Sequence, residues 1–285
     1  MLAVIGGSGF YDLEESGTGQ SITLETPFGS PSGPIRKVSI GATDLLFLPR
    51  HGVGHVYSPT SVPYRANIFA LKELGATHLL SLSAVGSLRE EFSPRTLVIP
   101  DQIIDRTVSR ERTFFDSGIV AHVGIADPFC RHLREVLGEA ANLARCGVWR
   151  DGTYVCIEGP QFSTRAESNL YRSWGASVIG MTAMPEARLA REAGLCYAML
   201  AMVTDYDVWH DSEDDVSVEV VASNLQANSE AAGSIVAHLA AGGLPARTCG
   251  CELALQHAIM TAEDQIPLEA LEWLRVLAGD LPDRN

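Results

Sequence analysis

Tyr197-Ala198-Met199-Leu200-Ala201-Met202-Val203 is apolar on both faces and runs straight into Thr204-Asp205-Tyr206-Asp207. A strand with one face in water alternates polar and apolar residues. This one does not, so it reads as a strand buried in a sheet covered on both sides, as in α/β proteins. In open α/β sheets ligands sit beyond the carboxyl ends of the strands, and two acids one residue apart there are costly unless they contact something. Taken alone, Asp205 and Asp207 also read as an acidic turn opening to solvent.

Working outward, Leu2 to Ile5 predicts a short buried strand that enters Gly6-Gly7-Ser8-Gly9, where the glycines free the backbone to turn its N–H groups toward an anion. Leu45 to Leu48 predicts a second strand, ending at Pro49-Arg50-His51-Gly52, and His78 to Ser83 a third, breaking at Ala84-Val85-Gly86-Ser87. Thr96 to Pro100, Thr153 to Glu158 and Ser177 to Met181 complete the strands. Between them, helical spacing predicts helices over Tyr64 to Leu74, Asp127 to Ala144, Arg165 to Trp174, Pro185 to Glu192 and Val218 to Leu239. Strands interleaved with helices predict a three-layer α/β/α fold around a mixed, largely parallel sheet. Residues 1–243 read as one domain. Residues 244–285 read as a helical tail, with amphipathic segments at Leu253 to Ala262 and Leu268 to Leu277, that must pack on the domain or on a neighbouring subunit.

The chain has 285 residues and a net charge of −14 without Lys/Arg runs, which argues against a nucleic-acid or anionic-membrane surface and for a small-molecule partner. No apolar run approaches the roughly 18 residues of a membrane span, and Met1 to Ile5 shows no basic leader, so the expected location is the cytoplasm. The six cysteines fall mostly in apolar surroundings and read as core packing. Cys249-Gly250-Cys251 reads as two free thiols, because a ring closed across one residue is strained. Metal binding there would need more ligands than His257 supplies, so no metal is expected.

Several segments offer chemistry at strand ends. The glycine loop lacks the third glycine of a dinucleotide fingerprint, with Asp12 at that place, so a nicotinamide cofactor is not expected; Ser8 and the backbone donors suit a single phosphate. Arg50-His51 places a two-pronged guanidinium beside an imidazole that can add a further donor. Ser83 to Ser87 is small enough for a ligand to approach its backbone. Phe162, in Glu158-Gly159-Pro160-Gln161-Phe162-Ser163-Thr164-Arg165, offers a face for a planar ring ahead of a Ser163 or Thr164 cap, and Met181-Thr182-Ala183-Met184-Pro185 repeats the strand-to-helix layout.

In this order, these segments resemble the trimeric purine nucleoside phosphorylase family, over most of Leu2 to about Ala240, and within it the branch that cleaves 5′-methylthioadenosine. The resemblance implies that inorganic phosphate, a co-substrate, is held by Ser8, Arg50, His51, Ser83, the Ala84 amide and Thr182. It implies that Met181 lies along the ribose, and that Phe162, Ser163, Asp205 and Asp207 surround the base. Val218 and Val221 would line the apolar wall at the 5′ end. His122 would reach the 5′ pocket of a neighbouring subunit, so the expected assembly is a homo-oligomer, a trimer or a dimer of trimers. Ser8 and Ser83 stand where the family often has threonine, and Ala222 where it would have leucine, which implies a roomier 5′ pocket. No cofactor is implied.

The identity of the base also follows from chemistry. Adenine offers an amino donor at position 6, where hypoxanthine and guanine offer an acceptor, and carboxylates accept hydrogen bonds. The expected reaction is phosphorolysis to adenine and 5-methylthioribose 1-phosphate, with Asp205 giving a proton to N7 of the leaving base. A broader phosphorylase acting on adenosine or on 6-oxopurine nucleosides, and a nucleoside-binding protein without turnover, are the alternatives.

Overall fold

Successive strand residues point to opposite faces, and in β1 (Leu2–Gly6) both faces are covered: Ala3 and Ile5 belong to one apolar cluster, Leu2 and Val4 to another. The computed structural model describes residues 1–7, 19–40, 43–210, 218–244 and 246–279, and of 218–223 the backbone alone. On either side of β1 lie β4 (Thr43–Pro49) and β5 (His78–Ser87), both parallel to it, with Gly6 opposite Pro49. On its other edge β5 pairs in parallel with β11 (Cys196–Asp205), from Cys196 opposite His78 to Asp205 opposite Gly86, with an irregularity between Val203 and Asp205. All ten residues of β11 are buried.

The two clusters are the two interlayers. One packs alternate residues of β1, β4, β5 and β11 under α1 (Tyr64–Glu73) and α4 (Ala183–Glu192); the other packs the remaining alternates under α2 (Arg131–Leu143) and α5 (Val218–Ala241). A smaller third cluster joins β9 (Thr153–Ile157), β10 (Val178–Gly180) and α3 (Arg165–Ser173). The result is the expected three-layer α/β/α architecture with a mixed sheet. Among the described residues no helix is long and apolar enough to cross a membrane.

The structure departs from the sequence reading in local ways. The strand expected to break at Ala84 continues to Ser87: beyond the last residue paired with β1 it still pairs with β11 at Gly86, and its other edge takes β10 as an antiparallel partner at Gly86 and Ser87. Four strands carried no clear apolar signal: β2 (Gln20–Ile22) and β3 (Ile35–Ile40) at the sheet edge, β7 (Gln102–Arg106) beside β9, and β8 (Val148–Arg150) beside β6 (Leu97–Ile99). The helix expected from Asp127 begins at Arg131, since the Cys130 amide donates to the Tyr197 carbonyl at 2.7 Å and the preceding Phe129 stacks on Tyr197. Leu253 to Ala262 forms turns and a short bridge from Ile259 to Ala121, with no α-helix. The tail's last helix, α6 (Leu271–Ala278), buries Leu274 and Leu277 in the same cluster as Ile68 and Phe69 of α1.

Candidate active site

The carboxyl ends of β1, β4, β5, β10 and β11 open on a cavity of about 290 Å³. Arg50, His51, Ser83, Ala84, Phe162, Ser163, Met181, Thr182, Asp205 and Asp207, ten of the residues singled out from the sequence, line it together. Ser8 lies outside the described residues, although its neighbour Gly7 is in the wall. The side chains of Val218 and Val221 also lie outside them; Leu225, one to two turns further along α5, lines the cavity. His122 does not line it: it is exposed, and its backbone N–H is bonded to the Ala258 carbonyl at 2.8 Å.

One end of the cavity is built to face an anion. Arg50, 1% exposed, stands just past the end of β4, and its Nε and Nη2 donate to the two Glu186 oxygens at 2.8 and 3.3 Å. Further bonds from Nη2 reach Ser81 Oγ and the Ile5 carbonyl, and Nη1 reaches the Leu82 carbonyl at 3.1 Å. A buried charge needs such pairing. Burial pulls the Arg50 pKa down, but the Glu186 carboxylate outweighs it, so the guanidinium stays charged. Nη1 carries a second N–H with no acceptor among the described residues, on the side of Gly7. Opposite, the Ser83 and Thr182 hydroxyls lie 3.3 Å apart, and Thr182, at the start of α4, makes no side-chain cap bond that would occupy it.

His51 corrects the expectation of a donor imidazole. Its Nδ1 is 2.9 Å from the Tyr57 carbonyl, and a carbonyl only accepts, so Nδ1 carries the proton. Burial, reinforced by Arg50, pushes its pKa down to about 4. At neutral pH Nε2 is therefore an acceptor, suited to a hydroxyl of a protonated phosphate.

The other end holds the acids. Asp205 and Asp207 are 8% and 7% exposed. Asp205 Oδ2 accepts from the Thr204 hydroxyl at 2.7 Å and Oδ1 from the Asp207 amide at 2.9 Å. Asp207 sits in the left-handed region at φ 53°, and its buried Oδ2 has no partner among the described residues; neither has the buried Ser163 hydroxyl. Burial, with the Asp205 charge adding to it, pushes the Asp207 pKa up to about 6. Gly86 makes room for the pair: a Cβ there would lie 3.0 Å from Asp205 Oδ1 and 3.3 Å from Asp207 Cβ. Asn224 and Asn228 of α5 fix the strand end by donating to the Thr204 and Val203 carbonyls at 2.7 and 3.0 Å. Phe162 stands half exposed at the lip.

Two residues important to this geometry escaped the sequence reading. Glu186 falls only inside the helix expected over Pro185 to Glu192, yet it anchors Arg50 and accepts from the Tyr197 hydroxyl at 2.9 Å. Arg110 lies in a charged run, Ser109-Arg110-Glu111-Arg112, that looks solvent-exposed. Its buried guanidinium donates to the carbonyls of Met181, Met184, Ile157 and Glu158 and so ties together two of the loops that form the cavity wall.

Comparison with known proteins places these features in a lineage. Residues 1–241 match the family model described as the phosphorylase superfamily. The chain is 51% identical over 280 residues to the S-methyl-5′-thioadenosine phosphorylase of Geobacter sulfurreducens, covering 98% of each protein. Among solved structures, it superposes with a TM-score of 0.89 and 45% identity on a methylthioadenosine phosphorylase from an antarctic soil metagenomic library, covering 97% of this chain and 98% of that one. A methylthioadenosine phosphorylase from Schistosoma mansoni in complex with adenine gives a TM-score of 0.81 at 37% identity, covering 84% and 90%.

Proposed function

The chain belongs to the phosphorylase superfamily, and from that premise we propose that it is a pentosyltransferase that cleaves 5′-methylthioadenosine with inorganic phosphate to adenine and 5-methylthioribose 1-phosphate. The names of its relatives at about half identity support the substrate. The observation that carries the reading is the polarity of the cavity: an anchored guanidinium with facing hydroxyls at one end, and a buried pair of acids with an unpartnered oxygen at the other.

Asp207 Oδ2 suits the 6-amino group of adenine, since a carboxylate oxygen accepts and a 6-oxo group cannot donate. Ser163 Oγ is a second buried polar atom available to the base or sugar. At the other end Arg50, His51, Ser83, Thr182 and the Ala84 amide hold phosphate beneath the sugar, with Ser8 completing the set. As the C1′–N9 bond lengthens, C1′ gains cationic character and a phosphate oxygen closes on it. The electron pair of the broken bond passes into the base, which takes a proton at N7. In net terms the proton of hydrogen phosphate ends on adenine. The Asp205 charge acts on the Asp207 carboxyl, and the proton reaches N7 from this acidic end of the cavity, with Asp205 facing N7. Stabilising charge where it develops, in a site fixed beforehand, is the largest resource available to such a cavity.

Met181 lies along the ribose and Phe162 closes over the base. In the assembly, His122 of a neighbouring copy completes the 5′ pocket beside Val218 and Val221; a trimer or dimer of trimers by light scattering agrees with this, and a strict monomer with full activity excludes it. The test of function is product analysis with 5′-methylthioadenosine, adenosine and inosine, each with and without phosphate. Adenine released from 5′-methylthioadenosine only when phosphate is present is the expected result. Faster cleavage of inosine overturns the base assignment, and tight binding without turnover overturns the enzyme.

A further inference from the structure

Far along β11 from the acids, four cysteines converge. Cys130 caps α2, Cys196 begins β11, and Cys249 and Cys251 come from the tail; their four Sγ atoms all lie within 4.8 Å of one another, with Cys196 and Cys249 at 3.3 Å. Three are buried and Cys249 is half-buried. The sequence alone offers only the Cys249-x-Cys251 pair, because Cys130 and Cys196 are more than fifty residues away from it and are brought there by the fold. Gly250, at φ 70°, adopts the left-handed backbone that turns the two flanking thiols to the same point.

We propose that Cys130, Cys196, Cys249 and Cys251 form a structural tetrathiolate site for one zinc ion per chain. Zinc in such sites is tetrahedral with Zn–S of about 2.3 Å, which puts the sulfurs about 3.8 Å apart. The observed spread, from 3.3 Å to within 4.8 Å, brackets that value, so closing around an ion needs side-chain shifts of well under the width of an atom. Four soft sulfurs with no oxygen ligand among them favour zinc over magnesium or calcium. Binding expels the four thiol protons to solvent and leaves a centre of net charge −2.

The surroundings are ready for that charge. The Leu133 amide donates to Cys130 Sγ at 3.5 Å, at the positive end of the 13-residue helix α2, and Arg191 Nη1 donates to Cys251 Sγ at 3.5 Å. Arg191 is held in turn by the Asp127 carbonyl. N–H groups aimed at sulfur are the outer shell that thiolate sites require. The ion would join the tail to both the first turn of α2 and the first residue of β11.

The experiment uses the full chain, expressed with zinc in the medium and purified without chelator or histidine tag under mild reductant. We expect one zinc per chain by elemental analysis and by native mass. The four thiols should resist alkylation until the metal is extracted, and cobalt exchanged into the wild-type protein should show the charge-transfer and ligand-field bands of a tetrahedral tetrathiolate. Cys249→Ser should lose the metal while Cys146→Ser, outside the cluster, keeps it. If Cys249→Ser fails to fold, the cobalt spectrum of the wild type decides alone. Four freely alkylated thiols with no retained zinc and no cobalt spectrum overturn the proposal, as does an intact mass showing the same cysteines oxidised to disulfides in the purified protein.

Discussion

The two ends of β11 are opposite solutions to burying polar atoms. At Cys196 the strand begins among thiols that partner one another and touch nothing in the cavity; at Asp205 it ends on acids of which one oxygen is left without a partner among the described residues. Between them every residue is buried. The beginning of the strand holds the fold together, and the end holds unsatisfied chemistry in place. Strain at the carboxyl end is tolerated because the rest of the strand is overdetermined by packing on both faces.

The sharpest way to break this contrast is Arg50→Ala. If the carboxyl end of the sheet served function alone, the change would cost phosphate binding and little else. Because it strands the buried Glu186 carboxylate, we expect a loss of about 3–5 kcal/mol of stability, read from the denaturant midpoint, together with loss of phosphate saturation. An unchanged midpoint would show the ion pair to be dispensable.

Asp207→Asn sharpens the contrast. A carboxyl raised to about 6 in the fold, against about 3.9 in an unfolded chain, stabilises fully below about pH 4 and loses that contribution as pH climbs through about 6. Asparagine carries no charge and tolerates the left-handed backbone at this position. The variant should gain about 1–3 kcal/mol at neutral pH in the ligand-free state, with no gain near pH 4, while kcat/KM falls about 10²-fold or more. A stability profile parallel to wild type at all pH values contradicts the burial argument.

Gly86→Ala probes the space between the two acids. The added methyl presses on Asp205, Asp207 and Ile179, at a cost of about 1–3 kcal/mol at most. Its effect should fall on KM for the nucleoside more than on KM for phosphate; equal effects on both would mean that the two ends of the cavity are not separately built.

Much of this was legible in the sequence because it rests on local signals. Apolar runs mark the central strands and the turns after them, and the family resemblance picks out which residues of those turns share a site, so ten cavity residues are legible in the sequence. What stayed hidden depends on chain segments distant in sequence. Arg110 looks like a surface charge until the fold closes carbonyls around it, and Glu186 looks like a first-turn acid until Arg50 meets it. β2 buries none of its three residues, and in β3 the two buried residues, Ile35 and Val38, point to opposite faces, so neither strand shows a period. The cysteine cluster joins positions 130, 196, 249 and 251, and no spacing rule connects them.

The asparagines of α5 bear on inhibitor design. Asn224 and Asn228 latch that helix to the strand end carrying the acids, and the same helix contributes Leu225 to the cavity wall. The strand end with its acids and the cavity wall at Leu225 are therefore tied to one helix, so a bulky group grafted at one extremity of a compound should be felt as a misfit at the other, and affinities of fragments optimised separately should not add.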